Sequence, residues 1–453
     1  MLLQFSVENF LSFDEEQVFS MVASTGDQMH PNHVVDGKGG PALRAAAIYG
    51  PNASGKSNLV EAIGFAKELI VNGTRRSQSI PVRPFKLRAD GYERPSKFEF
   101  SFRTQGLLYN YGFRVTSERV TEEWLFASGI KKTEVKLFER STSEDGQAEV
   151  EVGTSLADGA RKQFFEFLAQ GTRANQLLLC EAVERNVVEL TRVAEWFTEV
   201  LAVIPAEPRA ESLAGLVHYY PQLRGYLTDF LRSSGTDIEM VGTVETQLGA
   251  VDMVPDIRDR ETVIALLEKL PPDGFVSTSG PVFTKDRAGR ASQIDMVFTH
   301  RGSDSTFTMN EESDGTQRLV HLAPILRELS EKTARVVVID ELDRSFHPHL
   351  SRLFLQTALD GCPPDSSNQL IFTTHDTNLL DLDLLRRDEI WFVEKNKAGA
   401  SHIYSLAEFK IRPDLKVEKG YLNGRFGAIP FITPIEQLGW KSDETASNDK
   451  AAA

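Results

Sequence analysis

A glycine-rich octapeptide, GPNASGKS at residues 50–57, lies between an apolar pentapeptide and an amphipathic segment. The pentapeptide AAAIY has the composition of a buried strand, and the following SNLVEAIGFAKELI repeats its apolar residues at helical spacing. The octapeptide matches the pattern G-x-x-x-x-G-K-[ST], in which glycines let the backbone wrap so that amide N–H groups face phosphate oxygens. The sequence therefore predicts a strand, a phosphate-binding loop and a helix, and hence an α/β fold.

The residue types of this loop predict how it holds a nucleotide. Lys56 is expected to reach the β- and γ-phosphates, and Ser57 is expected to hold a magnesium ion. The positive end of the helix dipole adds to this attraction. The predicted nucleotide-binding residues are Gly50, Pro51, Asn52, Ala53, Ser54, Gly55, Lys56, Ser57 and Asn58. The expected cofactors are ATP and Mg²⁺.

Two further apolar runs end in polar residues that complement such a loop. VVVIDE ends in Asp340, expected to hold Mg²⁺ directly or through water, and in Glu341, expected to deprotonate the attacking water. The run in QLIFTTHD leads to His375, which would lie beside the γ-phosphate if the two strands are neighbours. A helix-capping role for this polar cluster is the alternative.

The stretch NEESDGTQRL places small and acidic residues directly before an almost continuous apolar helix pattern. Ser313, Asp314, Gly315 and Thr316 stand at the predicted helix N-terminus, which is either a plain N-cap or an anion site. The local pattern alone leaves both interpretations open.

The phosphate loop, ESDGTQR, VVVIDE and TTHD, in that order, resemble the ATPase head of the ABC superfamily and, more narrowly, SMC-like heads and overcoming-lysogenisation-defect ATPases. The resemblance implies two ATP molecules sandwiched in a head-to-tail dimer of heads, with Ser313 on the partner's γ-phosphate. A homodimer or a higher homo-oligomer is therefore expected. Asp314 and Thr316 depart from the usual L-S-G-G-Q signature, and no Q-loop glutamine is identifiable. Asp343 would lie in a dimer-crossing loop, or is an ordinary solvated loop acid.

A closer resemblance rests on FSVENFLSFDEEQVFSM, ESDGTQRL, DELDRSFHPHL and YLNGRFGAIPFI. These stretches look like bacterial AAA-type ATP-binding proteins of the RloA and AbiL-like kind, more distantly related to the AriA subunit of the PARIS system. The resemblance implies a phage-defence sensor ATPase encoded beside an effector, often a TOPRIM-like nuclease. Asp381 and Asp383 are interpreted as solvated surface, so the chain itself is not expected to cut nucleic acid.

Composition narrows the alternatives. A formal net charge of −15 argues against a protein that coats nucleic acid over its whole surface, although a local site is possible. Arg75, Arg76, Arg83, Lys86 and Arg88 cluster after the first helix, which keeps a DNA-binding SMC-like repair or clamp ATPase as the alternative function. Two cysteines, no signal-peptide pattern and no membrane-spanning run predict a cytoplasmic protein without a membrane partner.

The periodicity predicts four segments. Residues 1–155 form ATPase lobe I with the phosphate loop and a β-meander, and residues 156–275 form a helical insertion. Residues 276–435 form lobe II with the signature, the acid-ended strand and His375, and residues 436–453 form a disordered tail. The predicted fold is thus an ABC/SMC-like P-loop ATPase head with an antiparallel β-subdomain and a helical insertion. A transporter subunit fits less well because of this insertion.

Overall fold

The computed structural model describes residues 1–128, 134–154, 159–206, 213–247, 267, 269–271, 274–277, 282–285, 290–410 and 416–429. The predicted disordered tail and most of the predicted helical run ETVIALLEKL lie outside these residues. Within them, no helix has the length and apolar content needed to cross a membrane.

Helices and strands alternate irregularly along the described part of the chain. The α-helices are α1 Lys56–Asn72, α2 Gly159–Gly171, α3 Leu178–Glu184, α4 Val188–Glu195, α5 Leu213–Tyr219, α6 Pro221–Ser233, α7 Asp314–Leu329, α8 Pro348–Asp360 and α9 Val417–Leu422. The strands are β1 Leu2–Glu8, β2 Gln17–Ser20, β3 Val34–Val35, β4 Ala42–Leu43, β5 Ala45–Tyr49, β6 Ser96–Thr104, β7 Leu107–Val115, β8 Val120–Ser128, β9 Glu134–Thr142, β10 Ala148–Val152, β11 Leu201–Ile204, β12 Ile238–Gln247, β13 Phe275–Ser277, β14 Val282–Lys285, β15 Ala291–His300, β16 Thr306–Thr308, β17 Val336–Ile339, β18 Gln369–Thr373, β19 Ile390–Lys395 and β20 Ser401–Ser405.

A six-stranded sheet in the order β11-β17-β18-β5-β19-β20 positions the predicted site. Its strands run parallel from β11 to β19, and β20 pairs antiparallel at the edge. Every residue of β5, β17 and β18 is buried, which is the burial that wholly apolar parallel strands require on both faces. The carboxyl ends of these three neighbours meet at one edge.

An antiparallel seven-stranded sheet in the order β10-β9-β8-β7-β6-β1-β2 forms the second layer. The predicted β-meander is confirmed, since β6 to β9 pair consecutively. Its buried face carries an aromatic core in which Phe102 stacks on Trp196 with ring centroids 4.2 Å apart. Trp196 and Phe197 are presented by a π-helical turn, Trp196–Val200, that follows α4. The helices after the meander are thereby packed against this sheet.

A smaller antiparallel sheet, β12-β15-β14-β13 with β16 beside β15, packs against α5, α6 and α7. Residues 156–275 therefore contain strands as well as the predicted helices, and β11 even enters the central sheet beside β17. Leu201–Ile204 is too short an apolar run for periodicity to separate strand from helix. The four-segment division stays a prediction, but the insertion is not wholly helical.

The C-terminal YLNGRFGAI stretch folds back on the central sheet. Tyr421 Oη donates to Ala428 O at 2.8 Å, and Tyr404 Oη donates to Phe426 O at 2.7 Å. The ring of Tyr421 stacks on that of Phe392 with centroids 5.5 Å apart. This stretch therefore covers β19, the strand next to β5.

Glu123 is a buried carboxylate that joins the meander to α3. It accepts hydrogen bonds from the backbone N–H groups of Leu178 and Leu179, at 2.6 and 3.0 Å, and lies 3.5 Å from the Arg140 guanidinium. Burial raises the pKa of Glu123, while Arg140 and these hydrogen bonds oppose that rise. The pair thus ties strand and helix together at the cost of desolvating two charges.

We expect Glu123→Ala to lower the free energy of unfolding by about 3–5 kcal/mol, because it leaves Arg140 buried without its partner. Urea denaturation at pH 7 measures this change. The matched control is Glu122→Ala, which removes the neighbouring, half-exposed carboxylate and should cost about 1 kcal/mol or less. Equal losses in the two variants would contradict the structural role of Glu123.

Candidate functional site

The phosphate loop follows β5 as the sequence predicts, and α1 begins at Lys56. Gly55 precedes the helix with φ at 116°, a value that side-chain-bearing residues rarely adopt. A Cβ on Gly55 would also collide with the Ser401 and Ser12 hydroxyls, and one on Gly50 would collide with Val393 O. Both glycines are therefore required by the backbone path, and the N-terminal end of α1 lies at the loop.

A cluster of hydroxyl and amide side chains from outside the GPNASGKS motif holds the phosphate loop in place. Ser401 Oγ donates to Ser54 O at 2.5 Å and lies within hydrogen-bond distance of Ser12 Oγ, at 2.7 Å. Asn58 Nδ2 donates to the same Ser12 Oγ at 2.7 Å. The Asn58 side-chain amide, which was predicted to bind the nucleotide, thus donates one of its hydrogen bonds to a residue that braces the loop. The GPNASGKS pattern gives no signal for Ser12 or Ser401.

Lys56 lies folded over the loop. Its Nζ donates to Gly50 O at 2.8 Å and to Pro51 O at 3.2 Å, and the side chain is buried. Burial lowers the pKa of Lys56 to about 8, and the nearby carboxylates Asp340 and Glu341 oppose this shift. The ammonium group therefore lies where phosphate oxygens of a nucleotide could replace the two carbonyl oxygens, and charged phosphate oxygens are the stronger hydrogen-bond acceptors.

Asp340 and Ser57, the two predicted magnesium ligands, lie together. Asp340 follows β17 and is buried, and its Oδ1 accepts a hydrogen bond from Ser57 Oγ at 3.2 Å. Thr373 Oγ1 donates to the same carboxylate oxygen at 2.6 Å. One carboxylate and one hydroxyl fit Mg²⁺, which takes few protein oxygens and completes its shell with phosphate and water. In the described part of the chain, no group of three or more His, Cys, Asp or Glu residues forms a separate metal site.

Glu341 and His375 occupy the same edge of the sheet. Glu341 directly follows Asp340, and His375 follows β18, which lies between β17 and β5. The His375 backbone N–H donates to the Asp343 carboxylate at 3.2 Å. Partial desolvation of the imidazole and the nearby Lys56 lower the pKa of His375, and the carboxylates oppose this, so the imidazole is neutral near pH 7. Strands β17 and β18 are therefore neighbours, which is the condition for the predicted contact between His375 and the γ-phosphate.

The alternative helix-capping role falls on the neighbours of His375. Asp376 Oδ1 accepts from the Asn378 N–H at 2.9 Å, and Thr374 Oγ1 accepts from the Asp376 N–H at 3.0 Å. The exposed His375 imidazole makes no hydrogen bond with the described residues. The ring thus remains available to a ligand, and its phosphate contact stays a prediction.

Ser313 is the N-cap of α7, and its Oγ accepts from the Thr316 N–H at 3.2 Å. Ser313 and Asp314 are exposed, Thr316 is buried, and a Cβ on Gly315 would approach Ser345 O to 2.9 Å. Ser313 thus caps the helix, as the first of the two interpretations expects. It does not exclude an anion at this end of a 16-residue helix, whose first N–H groups point outward from the N-terminus.

The fold and these residues define an α/β P-loop domain, with a central parallel sheet and antiparallel sheets beside it. Residues 45–381 match the family described as "AAA domain, putative AbiEii toxin, Type IV TA system". The chain belongs to this family.

Solved structures that match along most of the chain share little sequence with it. An SMC head bound to the C-terminal winged-helix domain of ScpA is 12% identical, with 89% of this chain and 97% of that chain covered and a TM-score of 0.39. The SMC head domain from Thermotoga maritima is 14% identical, with 90% of this chain and 99% of that chain covered and a TM-score of 0.36. The recombination mediator RecF with ATP is 14% identical, with 89% of this chain and 97% of that chain covered and a TM-score of 0.32. No curated protein matches the sequence.

The lowered pKa of Lys56 predicts how ATP affinity depends on pH. Below pH 8 Lys56 is charged with or without ATP, so affinity is constant with respect to this group. Above pH 8 the free protein loses the proton that the complex retains, so affinity should fall by up to about tenfold per pH unit. Binding of a fluorescent ATP analogue between pH 7 and 9.5 measures this. Lys56→Met should bind weakly with no such slope, and a flat wild-type profile would count against the shifted lysine.

Proposed function

We propose that the chain is an ATP-hydrolysing switch that works as a head-to-tail homodimer. One observation supports this proposal: the predicted nucleotide-binding residues of each chain fall into two groups with no hydrogen bond between them among the described residues. Lys56, Ser57 and Asp340 lie at the phosphate loop, whereas the exposed Ser313 and Asp314 form no hydrogen bond with that loop. A second copy supplies the missing half if its signature helix, α7, covers the nucleotide.

The residues of one chain then have distinct tasks. Lys56 exchanges its loop carbonyls for phosphate oxygens, and Ser57 with Asp340 holds Mg²⁺. When bound, Mg²⁺ neutralises charge on the β- and γ-phosphates. Glu341 orients and deprotonates the attacking water, and neutral His375 donates a hydrogen bond to the γ-phosphate. Ser313 of the second copy contacts that phosphate from the opposite side.

We further propose that this switch is the sensor of a bacterial phage-defence system with a separate effector nuclease of the TOPRIM-like kind. Support comes from the family, whose description refers to a toxin and a type IV toxin–antitoxin system. It also comes from the resemblance to RloA and AbiL-like ATPases. Such a switch needs an effector that binds the ATP-bound and hydrolysed states with different affinity. Co-purification tests this proposal: a nuclease encoded beside this chain should co-purify with it in one nucleotide state only.

A DNA-binding clamp or repair ATPase is the second candidate, favoured by the basic cluster after α1. All five cations of this cluster are exposed, and Arg83 and Arg88 pair with acidic side chains. Arg75, Arg76 and Lys86 form no ion pair within the described residues. Salt-sensitive stimulation of ATP hydrolysis by DNA, lost when Arg75 and Arg76 are changed to Glu, would favour this function over the defence switch.

We expect Glu341→Gln to reduce the ATP turnover number by about 10²–10⁴-fold, because the amide cannot accept the proton of the attacking water. ATP binding should survive, so ATP-bound dimers should accumulate and be visible by light scattering. Phosphate release measures turnover. The control is Glu331→Gln, an exposed glutamate beyond α7, which should leave both readouts unchanged. Wild-type turnover in Glu341→Gln would remove the base assignment.

Mixing two inactive variants tests the shared site. Lys56→Ala destroys the phosphate loop and Ser313→Arg blocks the signature end, so each homodimer should be inactive. A mixed dimer retains one site built from an intact loop and an intact signature, so hydrolysis should return on mixing. Mixing two batches of Lys56→Ala with each other is the control. If both variants are inactive alone and the mixture stays inactive, the head-to-tail arrangement is wrong.

A further inference from the structure

Glu341 adopts a left-handed backbone conformation with φ at 49°. Residues other than glycine rarely adopt it, because the Cβ is crowded by the neighbouring carbonyl. The strand β17 has just ended, and Asp340 N–H still donates to Ile204 O at 2.9 Å, as a continuation of the parallel ladder. The chain therefore turns sharply at Glu341, and this turn decides where its carboxylate points.

The hydroxyl of Thr373 holds the turn on its amide side. This side chain ends β18 and is fully buried. Its Oγ1 accepts from the Glu341 N–H at 2.7 Å and donates to Asp340 Oδ1 at 2.6 Å. A single hydroxyl is thus bound to the backbone of the proposed base and to the carboxylate of the proposed magnesium ligand. Valine has the same shape and can make neither bond.

Arg318 holds the turn on its carbonyl side. Its Nη2 donates to Asp340 O at 2.9 Å and to Glu341 O at 3.0 Å, and its Nη1 donates to Ala206 O at 3.3 Å. Arg318 is buried although it carries a charge, and it lies in α7, five residues after Ser313. The helix whose N-terminus would meet the partner's nucleotide is therefore hydrogen-bonded to the peptide of the chain's own base.

We propose that Thr373 and Arg318 are positioning residues for ATP hydrolysis, which together hold the left-handed turn that aims the Glu341 carboxylate. This inference rests on the proposed function, because it takes Glu341 as the base. Thr373 sets the relative position of the Asp340 and Glu341 groups. Arg318 couples that arrangement to α7, so a shift of this helix on contact with a second copy moves the Glu341 carbonyl. Both residues act through their hydrogen bonds to Asp340 and Glu341.

Thr373→Val tests the hydroxyl. We expect the turnover number to fall by about 10–100-fold, as is typical when a partner behind a metal or catalytic ligand is lost. The KM for ATP should change little, because the phosphate loop is intact. The Mg²⁺ concentration for half-maximal rate should rise, because Asp340 loses a donor. Thr373→Ser, which retains the hydroxyl, should restore both values.

A matched threonine separates positioning from folding. Thr172 is buried and its Oγ1 donates to Leu168 O at 2.7 Å in α2, outside the site. Thr172→Val should lower the melting temperature in the same way as Thr373→Val, with turnover and Mg²⁺ dependence unchanged. If Thr373→Val also changes only the melting temperature, Thr373 is merely structural and the inference fails.

A double-mutant cycle tests Arg318. Lysine keeps the charge but cannot reproduce the guanidinium fork that reaches two carbonyls, so Arg318→Lys should lower turnover with little change in KM. In the Glu341→Gln background the same change should have no further effect, since the group that it positions is gone. Additive losses would overturn the inference.

The outcomes also separate the inference from the proposed function. Loss of activity in Glu341→Gln with wild-type activity in Thr373→Val and Arg318→Lys would leave the function standing and remove the positioning roles. Wild-type activity in Glu341→Gln would instead remove the proposed base itself. Because Arg318→Lys and Thr373→Ser are conservative, the proposal remains testable even if Thr373→Val does not fold.

Discussion

The site depends on one alignment: the parallel ladders that join β17, β18 and β5. Ile339 pairs with Phe372, and Thr373 pairs with Ile48, so the three strands end within a residue or two of each other. Each strand is wholly buried, which pins its register through the covering layers on both faces. A slip of one residue in any of them would turn Asp340 or Thr373 to the opposite face. The order of three buried strands thus sets the order of the functional groups.

Charge is the second constraint at this edge. Burial lowers the pKa of Lys56 and of Arg318, and the carboxylates of Asp340 and Glu341 oppose the shift in both cases. The neighbouring carboxylates offset part of the free-energy cost of burying these two cations. The cations and acids therefore stabilise one another before any nucleotide binds. A polyphosphate with its metal enters a site whose dipoles are already oriented, which reduces the reorganisation that binding requires.

The sequence predicted those parts of the site that are contiguous in the chain. The phosphate loop, the acids after β17 and the histidine after β18 each carry a local pattern, and the fold class follows from them. Thr373 and Arg318 were both within predicted motifs, but nothing in TTHD or ESDGTQR tells which atoms they contact. Ser401 was beyond reach, because its bond to Ser54 O spans 347 positions in the chain. The strand β11 was missed because four apolar residues have no decisive period.

The contact between Ser401 and the phosphate loop has a consequence for synthesis on the ribosome. Chains emerge from the N-terminus, so the GPNASGKS segment appears long before the hairpin of β19 and β20 that braces it. Strand β18, which pairs with β5, also emerges late. A nascent chain therefore contains the phosphate-loop motif before the side chain of Ser401 that braces it, and this contact forms only after nearly the whole domain has left the ribosome.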